Sequence, residues 1–296
     1  MEKSRVYFIR EITPGNIIKA YEALGKNLEG NVAVKMHSGE QGNQNYLRPE
    51  FVQDVIHHVN GTVVECNTAY EGARNSTEKH KKLIEEHEWN KYFPFDLLDE
   101  EGPDMELEIP NGKVLKKNYV GKNLANYNAL LVLSHFKGHA MGGYGGALKQ
   151  LSIGCASSRG KTLIHTAGVT DDQKVLFQNL PEQDRFLEAM ADAAKSVVDY
   201  FKGNAVYINV MKNISVDCDC DAHASAPCMQ DIGILASLDP VAVDQACLDL
   251  VYQSNDPGKD KLIERIESRH GVHTIESAYD LGVGNREYEL VQTDKK

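Results

Sequence analysis

Ala129-Leu-Leu-Val-Leu133, followed at once by Ser134-His-Phe-Lys-Gly-His-Ala-Met-Gly-Gly-Tyr-Gly-Gly-Ala-Leu-Lys149, decides how this chain is read. An unbroken apolar run that ends abruptly in polar and glycine residues has the pattern of a parallel strand buried on both faces. Open α/β sheets bind ligands beyond the carboxyl ends of their strands, so the segment from Ser134 to His165 is where chemistry is expected. It holds His135, Lys137, His139, Lys149, Cys155 and His165, with glycine at 142, 143, 145 and 146.

Working outward, apolar runs at Val6–Ile9, Asn31–Met36, Thr62–Cys66, Ala205–Met211 and Ile232–Ala236 read as further strands. Between several of them lie polar loops and amphipathic helices, opened by Thr13-Pro14, by Pro49 and by Asp239-Pro240, and longest over Glu182–Lys202. Strand, loop and helix in repetition predict an α/β fold: a mainly parallel twisted sheet with flanking helices, Rossmann-like, with right-handed crossovers. Residues 93–120 break the rhythm and read as a β-hairpin insertion turning at Asn111-Gly112. A chain of 296 residues suits one domain over 1–296 or two α/β lobes, about 1–125 and 126–296.

A net charge of −11 argues against nucleic acid and anionic membranes as partners. The first residues have no signal-peptide pattern, and no apolar run approaches the ~20 residues of a membrane helix, so a cytoplasmic protein is expected. Six cysteines in so long a chain do not form a secreted disulfide framework. The composition leaves a homo-oligomer open.

Three groups of residues carry candidate chemistry. Gly142, Gly143, Gly145 and Gly146 offer unobstructed backbone amides to an anion, with His139 and Lys149 beside them and His165 further on as proton-transfer, metal-binding or anion-clamping groups. Cys218, Cys220 and Cys228, with Cys155 as a fourth donor, suit iron or zinc, and an iron–sulfur cluster is a further option. The loop after the third strand supplies Arg74, and the loop after the second supplies His37; together they suit a small carboxylate or phosphate.

Two resemblances add to this. The segment His139-Ala-Met-Gly-Gly-Tyr-Gly-Gly-Ala-Leu-Lys149 resembles the glycine-rich segment of the lactate racemase family. That resemblance implies a nickel-pincer nucleotide tethered to Lys149, with His165 as nickel ligand. Over most of its length the chain is also similar to a large bacterial and archaeal family, the domain of unknown function 362, often described as iron–sulfur-associated. The carrying residues are Lys35-Met-His-Ser-Gly-Glu-Gln-Gly-Asn43, Arg48-Pro49, Ser134–His139, Asp217-Cys-Asp-Cys220 and Asp231-Ile-Gly-Ile-Leu-Ala-Ser-Leu-Asp-Pro240. No Cys-x-x-Cys-x-x-Cys run is present, which sets the chain apart from relatives carrying a ferredoxin module. The expectation is a metal-dependent enzyme acting on a small anion, racemase-like or redox; the rival is a non-catalytic metal or electron-transfer protein.

Overall fold

The structure is a computed structural model and describes residues 3–294. The strands are β1 (Ser4–Ile9), β2 (Val32–Lys35), β3 (Gly61–Glu65), β4 (Phe95–Leu97), β5 (Met105–Glu108), β6 (Lys117–Val120), β7 (Ala129–His135), β8 (Lys137–His139), β9 (Gly143–Gly145), β10 (Ala205–Met211), β11 (Gly233–Ser237) and β12 (Tyr288–Gln292). The helices are α1 (Pro14–Ala23), α2 (Pro49–His58), α3 (Thr77–Glu86), α4 (Trp89–Tyr92), α5 (Ala147–Lys149), α6 (Ser158–His165), α7 (Gln183–Phe201), α8 (Pro240–Gln253), α9 (Lys259–Ser268) and α10 (Val272–Asp280). One mixed sheet has the order β12-β1-β11-β10-β7-β2-β3-β4. Its neighbours pair in parallel except on the two sides of β11, which alone runs the other way. The fold is α/β, as expected.

The reversal of β11 has a simple cause. No helix separates β10 from β11, so the chain cannot cross over and must return antiparallel beside the strand it has just left. The connecting loop, 212–232, therefore stays at the carboxyl end of β10, and it carries three cysteines.

Pleating sorts β7 between two cores. Leu130 and Val132 face the layer of α7 and α8, while Ala129, Leu131 and Leu133 face the layer of α1 and α2. Full burial of all seven β7 residues explains why its sequence shows no alternation. Thr13, Ser76, Ser157 and Asp239 each accept a backbone N–H of the first turn of the helix that follows, Thr13 and Asp239 at starts that the sequence predicts.

The hairpin expected within residues 93–120 is present, its two strands on either side of Asn111-Gly112. Phe95–Leu97 pairs in parallel with β3 and continues the strand–helix rhythm as the sheet's edge; only β5 and β6 form an antiparallel ribbon. The main sheet also runs through both proposed lobes, since β1 lies between β12 and β11.

Candidate functional site

β2 and β7 are neighbours, yet the chain leaves β2 toward β3 on one side and leaves β7 toward β10 on the other. This divergence opens a crevice at the carboxyl ends of the strands. Five segments close over it: Lys35–His37, the loop 66–76, the β8–β9 ribbon with the following helical turns, α6, and the cysteine loop. They enclose a cavity of about 40 Å³ whose lining includes Lys35, His37, Arg74, His139, Lys149 and His165. That is room for a few waters or one small anion. An open cleft of about 690 Å³ adjoins it, and Tyr70 and Cys220 line both.

The three histidines lining the cavity are held in two tautomers. His139 Nδ1 accepts from the backbone amides of Gly142 at 2.8 Å and Met141 at 3.2 Å, which leaves the proton of a neutral ring on Nε2. His37 Nδ1 likewise accepts from Gly39 N at 3.0 Å. His165 is the reverse: its Nδ1–H donates to the Lys161 carbonyl one turn earlier in α6, at 2.7 Å, so Nε2 presents a lone pair. Burial, reinforced by Lys149 and its neighbours, holds His139 well below the ordinary histidine range, and burial takes His165 down to about 4. Both rings are neutral near pH 7, one a donor and one an acceptor.

The cysteine loop reaches the same place. Asp219, between the two cysteines, is buried and pairs with His135 Nδ1 and Lys137 Nζ, each at 2.8 Å. Burial opposes its charge, but those two partners outweigh burial and keep its carboxyl well below the usual range. Anchored there, the loop puts Cys218 Sγ 3.5 Å from Lys149 Nζ and Cys220 Sγ 3.9 Å from His139 Nε2. The hydrogen bond between the two sulfurs, then Lys149 and Lys137, hold Cys218 well below the ordinary thiol range. Donor atoms of His139, Cys218 and Cys220 all lie within 4.8 Å of one another.

Those separations are close to the edges of a tetrahedral Zn–S/N site, roughly 3.5 Å by the bond lengths of such sites, so the two sulfurs fit a soft metal. The His139 ring does not: a ligating Nε2 needs the proton on Nδ1, where two amide donors already point. The histidine with the right tautomer for a metal is His165. Cys155 and Cys228, expected to complete the set, are not in this group. Cys155 is packed beside Cys66, whose thiol donates to the Cys155 carbonyl at 3.5 Å. Cys228 is tied back by its amide to Ile214 O at 2.8 Å and lies against Gly258. The 40 Å³ beside Lys149 and His165 is smaller than the roughly 300–1,000 Å³ of sites for nucleotide-sized ligands, so such a group would extend into the adjoining cleft of about 690 Å³.

A sequence profile described as Domain of unknown function (DUF362) matches residues 32–249. The chain belongs to the DUF362 family. No curated protein matches it. Among solved structures, this DUF362 chain is similar to the lactate racemase apoprotein from Thermoanaerobacterium thermosaccharolyticum, with 12% identity, 83% of this chain and 56% of that one covered, and a TM-score of 0.46. It is similar also to a protein from Thermotoga maritima, with 12% identity, coverage of 90% and 58%, and a TM-score of 0.44. The chain spans a little over half the length of each.

In this DUF362 protein the glycine run supports the site from behind. Gly143 and Gly145 pair with His139 and Lys137 in the β8–β9 ribbon, and the Gly142 amide is taken by His139. Asp244 accepts from the amides of Ala147 and Leu148, from Tyr144 Oη and from Asn209 Nδ2, at 2.7–3.1 Å. A β-carbon at Gly146 would lie 2.4 Å from the Asp244 carboxylate, so this glycine makes room for an internal anion. Arg74 is likewise held internally, its Nε by Glu40 and its Nη1 by Glu65, both at 3.1 Å. Only the buried Nη2 is without a hydrogen-bond partner among the described residues. The sequence reading missed Lys35, Lys161, Glu65 and Tyr70 as lining residues.

Proposed function

We propose that this DUF362 protein is an enzyme that moves a proton on a small anionic substrate, a carboxylate or a phosphate, in a racemase- or isomerase-like reaction that depends on a metal ion. The observation that supports this reading is the pair of neutral, buried imidazoles lining one cavity, His139 presenting N–H and His165 presenting a lone pair. Such a pair removes a proton from one side of a reacting centre and delivers one from the other. Lys149 supplies positive charge between them and the cysteines, and the free Nη2 of Arg74 orients an oxygen of the substrate. A metal at Cys218 and Cys220 would act as a Lewis acid toward that anion.

The test is solvent exchange. Small 2-substituted carboxylates and phosphate esters are incubated with the protein in D2O and followed by proton NMR. At least one gains deuterium with the native chain, and His139→Asn and His165→Asn each slow the exchange by about 100-fold or more. Unchanged exchange in both variants refutes the reading. One observation favours the rival: two cysteine sulfurs, Cys218 and Cys220, within 4.8 Å of each other suit a soft metal that carries electrons. Stoichiometric iron with inorganic sulfide after anaerobic purification, with no exchange on any substrate, selects it.

A further inference from the structure

Two ammonium groups in the cavity wall have no direct ion-pair partner among the described residues. Lys35, at the end of β2, and Lys161, in α6, are 1% and 6% exposed and line the same cavity. Each is anchored by one backbone carbonyl, Lys35 by that of Met36 and Lys161 by that of Ala156, which leaves two N–H groups on each ammonium. Among the described residues neither forms an ion pair within 4.0 Å, and the nearby carboxylates are held elsewhere. Glu65, beside Lys35, is bonded to Arg74, His80 and the Ser38 amide; on the side of Lys161, Asp99 is bonded to the amides of Asn67 and Ser158, and Asp104 lies beyond ion-pair distance. The closest thiols are neutral, burial pushing Cys155 up to about 11 and Cys66 well above the ordinary range.

The backbone makes room for this arrangement. A β-carbon at Gly154 would lie 2.7 Å from Lys35 Cε and 3.3 Å from its Nζ. Gly154 ends a π-helical turn, Gln150–Gly154, that carries Gln150 into the cavity lining. Wide turns of this kind recur at functional sites.

Buried charges in proteins are normally paired, because an isolated ion loses its hydration without compensation. Two like charges left facing one cavity point to a partner that arrives from outside with more than one negative charge. We infer that Lys35 and Lys161 form the seat of a dianionic phosphoryl group, either inorganic phosphate or the phosphate of a monoester. A phosphate monoester brings nearly two charges and three acceptor oxygens, which answers two ammoniums; a monocarboxylate brings one charge. This inference rests on the reading of the cavity as a small-anion site and names the class of anion.

Thermal unfolding of the full chain at pH 7 and constant ionic strength tests it, with inorganic phosphate, acetate and malonate as probes. Phosphate raises the Tm in a saturable way and acetate does not. Lys35→Met and Lys161→Met each weaken the phosphate response at least ~10-fold, the loss of a hydrogen bond to a charged group. Line broadening of the inorganic phosphate resonance in ³¹P NMR gives a second readout that the Lys161→Met chain alone can decide if Lys35→Met does not fold. Undiminished phosphate binding in both variants overturns the seat, and malonate matching phosphate overturns the phosphoryl class. No phosphate response in the native chain also overturns it. Solvent exchange on the same preparation reports separately on the proposed activity.

Discussion

Replacing Lys35 by methionine should make the protein more stable in phosphate-free buffer at pH 7. The change keeps an unbranched stem of similar length and removes the charge. Burial lowers the Lys35 ammonium from its ordinary 10.5 to about 8, with Glu65 opposing the effect and Lys161 adding to it. That difference corresponds to roughly 3 kcal/mol by which folding disfavours the charged form. Because the folded value lies below the unfolded one, the penalty is fully present below pH 8. It is relieved as pH rises toward 10.5, where the unfolded chain still holds the proton and the native chain does not. Against this, the Met36 carbonyl loses its donor, a cost of about 1 kcal/mol. The net expectation is a gain of about 2 kcal/mol at pH 7 that shrinks or reverses by pH 10. Urea unfolding of native and variant chains at both pH values measures it as a shift in midpoint at unchanged slope. A loss of stability at pH 7 would show that Lys35 is paired in the native protein and refute the argument; an equal gain at both pH values would show that charge is not its source.

Asp219→Asn strands Lys137 without its carboxylate and should cost about 3–5 kcal/mol, while Cys218 and Cys220 react faster with a thiol reagent as their loop loosens. Gly146→Ala drives a β-carbon against Asp244 and should destabilise the chain by at least ~2 kcal/mol in the same urea assay, with little effect from alanine at the open Gly15 beyond local helix propensity. Exchange activity should stay flat from pH 6 to 8 and fall only as pH drops through about 4, where His165 protonates and its lone pair is lost. A midpoint near the ordinary histidine value would mean that His165 is not the base.

The parts of this molecule legible in its sequence are those set by local pattern. Buried parallel strands are continuous apolar runs, and β7 was visible for that reason. The spacing of His139, Lys149 and His165 marked three residues that the fold does bring to one cavity. What pattern could not reveal was pairing across long separations. The glycine run has the look of an anion cradle, but its following amides are bound by Asp244, about a hundred positions away. Cys228 is as near in sequence to Cys220 as a ligand needs to be, yet its amide bond to Ile214 turns it away. Phe95–Leu97 lies in the stretch where the strand–helix rhythm breaks, and only the open edge of β3 shows where it pairs. Tautomers are equally silent in a sequence: only the backbone around each ring makes His139 a donor and His165 an acceptor.

Lys35 is the clearest case, since a lysine closing a short strand ordinarily extends its stem and reaches water. Here the four lysines around the strand ends have three different fates, and the contrast is informative. Lys137 is given Asp219 at 2.8 Å, a partner carried on the cysteine loop from far along the chain. Lys149 is given the sulfur of Cys218 at 3.5 Å, whose low proton affinity makes it an anion. Lys35 and Lys161 are given carbonyl oxygens only. The same loops that bring counter-charges to two lysines pass within reach of the cavity and supply none to the other two. A fold able to supply counter-charges to lysines at this crevice, and doing so for buried Lys137 and for half-buried Lys149, leaves the remaining pair positive where an external dianion can complete them.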